Sequence, residues 1–407
     1  MTLFILLALV SAAVTFGLSI VVLKLSHRYR LYPKIRSRDV HSIPTPRLGG
    51  IAMFFGILVA FGVAYLVASQ FEPLRLIFAE PNKILAILGA ALLIVALGVA
   101  DDIWDLDWMT KLAGQFIAAG LVAWQGVQIY SLPIGGLTIF SGWISVGLTV
   151  IAIVIVMNMI NFIDGLDGLV AGVALIANGV FFLYSYLLVR DTSPTNYFNL
   201  ASLIAAVLVG ACLGFLPLNW HPAKLFMGDA GALLVGLLMA TSAIAITGQI
   251  DPTAVNRSQL FPAFIPIILP FAILIIPLLD FGLAVFRRVR AGKSPFSADR
   301  KHLHHRLLDM GHSHLHAVLI FYGWTAAASV GCLLYYVLPV FGLPTWYATV
   351  FLVVALLACT IVTLAPLSRR KAVEAASQLA PIGPGLTDET AQLDPLDEAS
   401  EKVQEDS

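Results

Sequence analysis

A chain of 407 residues that is 59% hydrophobic and 12% charged, with a mean hydropathy of +0.90, has too little polar surface to fold as a water-soluble domain. Its formal net charge of zero hides a strong asymmetry along the chain and by itself says nothing about partners. Cys212, Cys332 and Cys359 all lie in apolar runs and lack the paired spacing of a metal or redox site, so they read as core packing.

Apolar runs near the roughly 20 residues needed to cross a bilayer lie at 2–24, 48–69, 84–100, 110–125, 143–159, 168–189, 199–217, 230–248, 261–286, 317–338 and 343–366, the fourth being short. The sequence thus predicts an all-α integral membrane protein of about eleven transmembrane helices. Of the 24 Lys and Arg residues, 20 fall in alternate connections, together with all nine His residues. The positive-inside rule makes that side the cytosol, with the amino terminus outside and the carboxy terminus inside. A cleaved signal peptide fits less well, because no basic residue precedes the first apolar run, which continues to Leu23.

In chain order, the first cytosolic connection ends in PTPRLGG. Pro44 and Pro46 forbid a continuous helix and Gly49 and Gly50 permit close backbone approach, giving a rigid entry that holds Thr45 and Arg47 at the membrane surface. There Arg47 can meet a phosphate bidentately. After the third run come Asp101, Asp102, Asp105 and Asp107, four carboxylates that are costly beside hydrocarbon unless a cation is near. Adjacent Asp residues diverge on a helix, so one of the first pair is expected at a metal and its neighbour at substrate. Lys111 and Gln115, one turn apart, would present an ammonium to phosphate.

The segment NMINFIDGLDGL follows the fifth run, with Asn158, Asn161, Asp164 and Gly168 at helical spacing on one narrow polar face. Asp164 and Asp167, three apart, are expected as neighbours that recognise a base or assist a metal, and with no Lys or Arg in this connection an external cation or ligand is implied. Before the eighth run, LNWHPAKLFMGDAG sets Asp229 between glycines at a helix start, where an ordinary N-cap competes with a ligand site. Asn219, Phe226 and Lys224 line the approach. The ninth run holds Pro262, Pro266, Pro270 and Pro277 and should kink, opening a lateral groove to lipid.

The last cytosolic connection gathers His302, His304, His305 and Arg306 into a basic cluster suited to clamping phosphates. Zinc is disfavoured there, because the His spacing fits no usual ligand pattern and no Cys is near. From Leu367 the chain carries nine acidic and four basic residues, several Pro and no aromatic residue, which divides it into a transmembrane domain over 1–366 and a disordered cytosolic tail over 367–407.

Taken in order, PTPRLGG, the Asp101 and Asp102 pair, NMINFIDGLDGL, FMGDAG and HLHHR resemble the polyprenyl-phosphate N-acetylhexosamine-1-phosphate transferases. The resemblance runs from about Arg36 to His316. It implies a bacterial plasma-membrane enzyme with a cytosolic pocket. That pocket would take UDP-N-acetylhexosamine and a polyprenyl phosphate from the bilayer and release UMP, without nucleic acid and with a homodimer compatible. It further implies Mg²⁺, with Mn²⁺ able to substitute, at Asp229 and Asn161, and catalytic carboxylates at Asp101 and Asp102. Substrate contacts would come from Asp164, Asp167, Asn219, Phe226, Lys111, Thr45 and Arg47, and His302, His304, His305 and Arg306 would hold the diphosphate or sugar.

Within that family HLHHR and Arg47 resemble the N-acetylglucosamine-1-phosphate branch, whereas the phospho-N-acetylmuramoyl-pentapeptide transferases carry three consecutive His and tend to have Met in place of Arg. A cation-coupled transporter is the rival from another class. It would place ionisable residues near the bilayer midplane, whereas here they gather at span ends.

Overall fold

The computed structural model describes residues 1–32, 45–132, 137–138, 141–192, 199–247, 290, 307 and 312–364. Within them the chain forms helices α1 (Thr2–Tyr29), α2 (Gly49–Ala68), α3 (Glu72–Ile77), α4 (Pro81–Trp104), α5 (Trp108–Trp124), α6 (Gly142–Ile163), α7 (Leu169–Thr192), α8 (Leu200–Asn219), α9 (Gly228–Thr247), α10 (His314–Val340) and α11 (Trp346–Leu364). A two-residue antiparallel ladder, Ser131–Leu132 with Leu137–Thr138, is the one pair of strands among the described residues. Nine of the helices are long and apolar enough to cross a bilayer, which makes this a multi-pass all-α membrane protein. The fourth expected span corresponds to α5, which at 17 residues is shorter than the others. The ninth span, the HLHHR segment and the acidic tail lie outside the described residues.

Helix starts follow local chemistry. Pro81 opens α4, where a missing amide hydrogen costs nothing. The side chains of Asp107, Asn199 and Ser313 cap α5, α8 and α10 by accepting from Thr110, Ser202 and His316 amides. The Asp107 carboxyl also accepts from the Thr110 hydroxyl, and those bonds hold it below the usual carboxylate range.

Helix α9 is the axis of the bundle, buried along nearly its whole length and packed against α2, α4, α6, α7 and α8. Close approach sets this packing. A Cβ at Gly98 would lie 2.3 Å from the Ala230 backbone, and one at Gly50 would lie 2.3 Å from Gly231 N. Tight contacts of small residues replace the hydrophobic driving force that lipid cannot supply. Helix α1 runs parallel to α8, because Ala8 faces Gly210 and Ala12 faces Gly214. His312 Nε2 lies 2.9 Å from Thr363 O, so α11 ends beside the start of α10. The starts of α2, α5, α7, α9 and α10 and the ends of α4, α6 and α8 converge on one face, as the contacts below show.

Candidate active site

The backbone builds the floor of this face. Gly49 and Gly50 at the start of α2 donate to Phe226 O at 2.9 Å and Met227 O at 3.0 Å, and Phe226 N returns a bond to Pro46 O at 2.8 Å. Orphan amides of one helix start are thereby satisfied by the carbonyls leading into another, and the stretch from Pro46 to Gly50 is locked to Phe226 and Met227. Gly228, at φ +67°, makes the turn that permits this. A Cβ there would sit 2.1 Å from Arg47 O and 2.2 Å from Asp102 Oδ2.

Three carboxyl groups meet above that floor. Asp101 is buried at the end of α4, where Oδ1 accepts from Leu106 N at 2.8 Å and Oδ2 from Lys111 Nζ at 3.0 Å. The same ammonium lies 3.6 Å from Asp229 Oδ2. Asp229 is within hydrogen-bond reach of Asp101 and of the Asn161 side chain. Asp102 interacts with Asp229 and lies within the field of Arg47, and its Oδ2 is buried with no hydrogen-bond partner. Both members of the adjacent pair thus interact with Asp229. Lys111 serves these carboxylates, while Gln115, one turn on, exchanges amide hydrogen bonds with Asn158. An all-oxygen donor set with surplus negative charge and an orphaned buried oxygen suits a hard divalent cation.

A second group is assembled around the turn between α6 and α7. The helix stops at Ile163, so Asp164 is exposed at its end while Asp167 is buried at 3% exposure. The two do not share the helical face that their spacing predicts, because Asp164 to Gly168 form a turn, with Gly168 at φ +73°. Asp167 Oδ2 lies 2.7 Å from His221 Nδ1 and accepts from Ala223 N at 3.1 Å. Asp167 thus has hydrogen-bond partners in the connection between α8 and α9. Asn219 spends both ends of its amide on structure, accepting from Gly168 N at 3.1 Å and donating to Leu225 O at 3.0 Å. Tyr322, on α10, donates to Gly168 O at 2.5 Å. The first residue of α10, His314, stacks on His221 with ring centroids 4.4 Å apart.

The model of glycosyl transferase family 4 matches residues 84–247. A decaprenyl-phosphate N-acetylglucosaminephosphotransferase from Mycolicibacterium smegmatis is 40% identical over 369 residues, which cover 90% of this chain and 89% of that protein. The chain belongs to glycosyl transferase family 4. A probable undecaprenyl-phosphate N-acetylglucosaminyl 1-phosphate transferase from Bacillus subtilis is 32% identical over 70% of this chain and 72% of its own length. A phospho-N-acetylmuramoyl-pentapeptide-transferase from Desulforudis audaxviator is 28% identical over 78% and 92%.

The family match spans Asp101, Asp102, Lys111, Asn161, Asp164, Asp167, Asn219, Phe226 and Asp229, all of which the structure brings to one face of the bundle. Thr45 and Arg47 precede the match and are half-buried beside it. Phe226 contributes its backbone to the floor and keeps a half-buried ring. His302, His304, His305 and Arg306 lie outside the described residues. Sequence reasoning missed His221, His314 and Tyr322. An Asp with no side-chain partner in its own segment was the available signal for His221, whereas nothing marks Tyr322 apart from the other aromatic residues of an apolar span.

Proposed function

We propose that this protein transfers N-acetylglucosamine-1-phosphate from UDP-N-acetylglucosamine to a polyprenyl phosphate, giving a lipid-linked diphosphate sugar and UMP. The observation that carries the reading is the meeting of Asp101, Asp102 and Asp229 at the end of a membrane bundle, with the Lys111 ammonium between Asp101 and Asp229. Similarity to enzymes named for that transfer, over most of both chains, supports it.

An oxygen of the lipid phosphate attacks the sugar-bearing phosphorus, a new P–O bond forms, and the bond to UMP breaks with its electron pair leaving on UMP. Asp101 has both oxygens engaged, so its role is to position Lys111 against Asp229. Asp102 keeps one oxygen without a hydrogen bond, and this is the group we assign to the reacting atoms. It takes the proton of the lipid phosphate in a single displacement, or attacks phosphorus first in a double one. Inversion at phosphorus marks the former and retention the latter. Asp229, with Asn161 beside it, would hold Mg²⁺, or Mn²⁺ in its place, which supplies charge neutralisation for the donor diphosphate. Arg47, and His302 to Arg306, are proposed to grip the phosphates, and Asp164 and Phe226 to meet the nucleoside. The pocket faces the cytosol of a bacterial plasma membrane, where soluble UDP-sugars are found.

The experiment is UMP release by purified protein given polyprenyl phosphate, Mg²⁺ and one UDP-sugar at a time. UDP-N-acetylglucosamine is expected to react. Turnover with UDP-N-acetylmuramoyl-pentapeptide alone would move the chain to the other branch, and no UMP from any donor would overturn the reading.

A further inference from the structure

We propose that Asp167, His221 and His314 form a site for one transition-metal ion of the zinc class, with a donor set different from that of the carboxylate cluster. One ligating atom from each of the three lies within 4.8 Å of the other two. They come from three separate parts of the chain: the turn before α7, the connection before α9, and the first residue of α10. Convergence of two imidazoles and a carboxylate from three elements does not follow from packing apolar helices. It also supplies the three protein ligands of an open zinc site, with a fourth position left for water.

A tetrahedral ion with bonds near 2.1 Å spaces its ligand atoms roughly 3.4 Å apart. Each donor atom therefore needs to move by only about 1 Å. The buried carboxylate is already fixed, because Asp167 Oδ2 accepts from Ala223 N at 3.1 Å, the kind of supporting hydrogen bond that orients a ligand. The His221 and His314 rings are nearly parallel, 17° apart, so their in-plane lone pairs run side by side. One ring must turn about its Cβ–Cγ bond to converge on an ion. His221 has the room, since its side chain is 43% exposed while that of Asp167 is 1% exposed. In turning, it exchanges its hydrogen bond to Asp167 for a shared metal. Imidazole nitrogen selects Zn²⁺, Co²⁺ or Ni²⁺ over Mg²⁺, whereas the oxygen-only cluster at Asp229 does the reverse. The two sites thus sort ions by donor chemistry, and this inference stands whether or not the proposed reaction is right.

The test uses the full chain, purified in detergent, stripped with chelator and titrated with Co²⁺ in a large excess of Mg²⁺. One equivalent is expected to bind with the visible absorption of a tetrahedral ion and to be displaced by Zn²⁺. His221→Ala and His314→Ala should each weaken binding by at least about tenfold, the lower bound seen when even supporting residues are lost. His314→Gln, which keeps a polar group of similar reach, replaces the alanine variant if that one no longer elutes as a single species. Absence of stoichiometric binding, or binding unaltered in the His variants, would overturn the proposal. Loss of the ion in Asp229→Asn would equally overturn it, by assigning the ion to the carboxylate cluster.

Discussion

Lys111 is shared between two acids, 3.0 Å from Asp101 and 3.6 Å from Asp229, while Asp102 interacts with Asp229 and Arg47. Lys111→Met keeps the apolar stem and removes the charge, leaving the two carboxyls to repel one another. With the ammonium partly exposed and Asp101 buried, the loss should fall between the ~1 kcal/mol of a surface pair and the ~3–5 kcal/mol of a buried one. A lower unfolding temperature in Mg²⁺-free detergent is expected, with Mg²⁺ restoring more of it than it adds to the unaltered protein. Equal Mg²⁺ shifts in the two proteins would show that no cation takes over from the ammonium. Asp229→Asn is the complementary change. It keeps the shape and removes one hard anionic oxygen, so turnover should fall by at least about 100-fold while the unfolding temperature stays near that of the unaltered protein. Full activity would remove Asp229 from the metal site. Much of this cluster was legible beforehand, because carboxylates beside hydrocarbon require a reason wherever they stand. The shared ammonium was not legible in full. Lys111 reads as a phosphate contact, and the structure adds Asp101 as a near anion, since a sequence records residue types but not which carboxylates lie nearest.

The first turn of α9 carries Asp229 only because α2 and α4 approach it without side chains between them. A Cβ at Gly98 would meet Ala230 Cα and N at 2.3 Å, a clash with backbone that no rotamer change relieves. Gly98→Ala must therefore push α9 away from α4, costing about 1–3 kcal/mol as overpacking does, and it should shift Asp229 away from Asp101 and Lys111. Gly62, also in α2–α4 territory of the bundle but with nothing within 4 Å of an added Cβ, provides the contrast. Gly62→Ala should leave activity intact and add a few tenths of a kcal/mol through helix propensity. Thermal unfolding and UMP release of the two variants decide the matter. If Gly98→Ala retained full stability and turnover, the close crossing would not be what aims Asp229. Hydropathy located these helices well, because crossing a bilayer demands long apolar runs. Helix ends were harder. The polar spacing through Asn158, Asn161 and Asp164 fits a continuing helix, but the helix stops at Ile163 and Gly168, at φ +73°, lets the chain turn, which leaves Asp164 exposed and Asp167 buried. Periodicity carries no information about a helix once the helix has stopped.

At the scale of the molecule, the bundle has a site face and a far face. The turn at Asp164 to Gly168 lies on the first, and Phe341, exposed after the end of α10, lies on the second. The direction of α1 beside α8 puts Met1 at the far face, and the His312 to Thr363 contact puts the end of α11 at the site face. Structure thus relates Met1 and the end of α11 to the pocket, and the proposed cytosolic orientation of that pocket rests on the distribution of Lys and Arg. Single-cysteine labelling tests that last step. With Cys212, Cys332 and Cys359 replaced, a membrane-impermeant maleimide added to intact spheroplasts should modify Phe341→Cys but leave Asp164→Cys unmodified until the membrane is opened. The reverse pattern would turn the whole bundle over. It would run against the distribution of Lys and Arg along the sequence and separate the carboxylate cluster from any cytosolic sugar nucleotide. Labelling of both positions from outside would instead show that the turn before α7 is not on the face opposite Phe341, and the convergence of α4, α6, α7 and α9 on one pocket would fail with it.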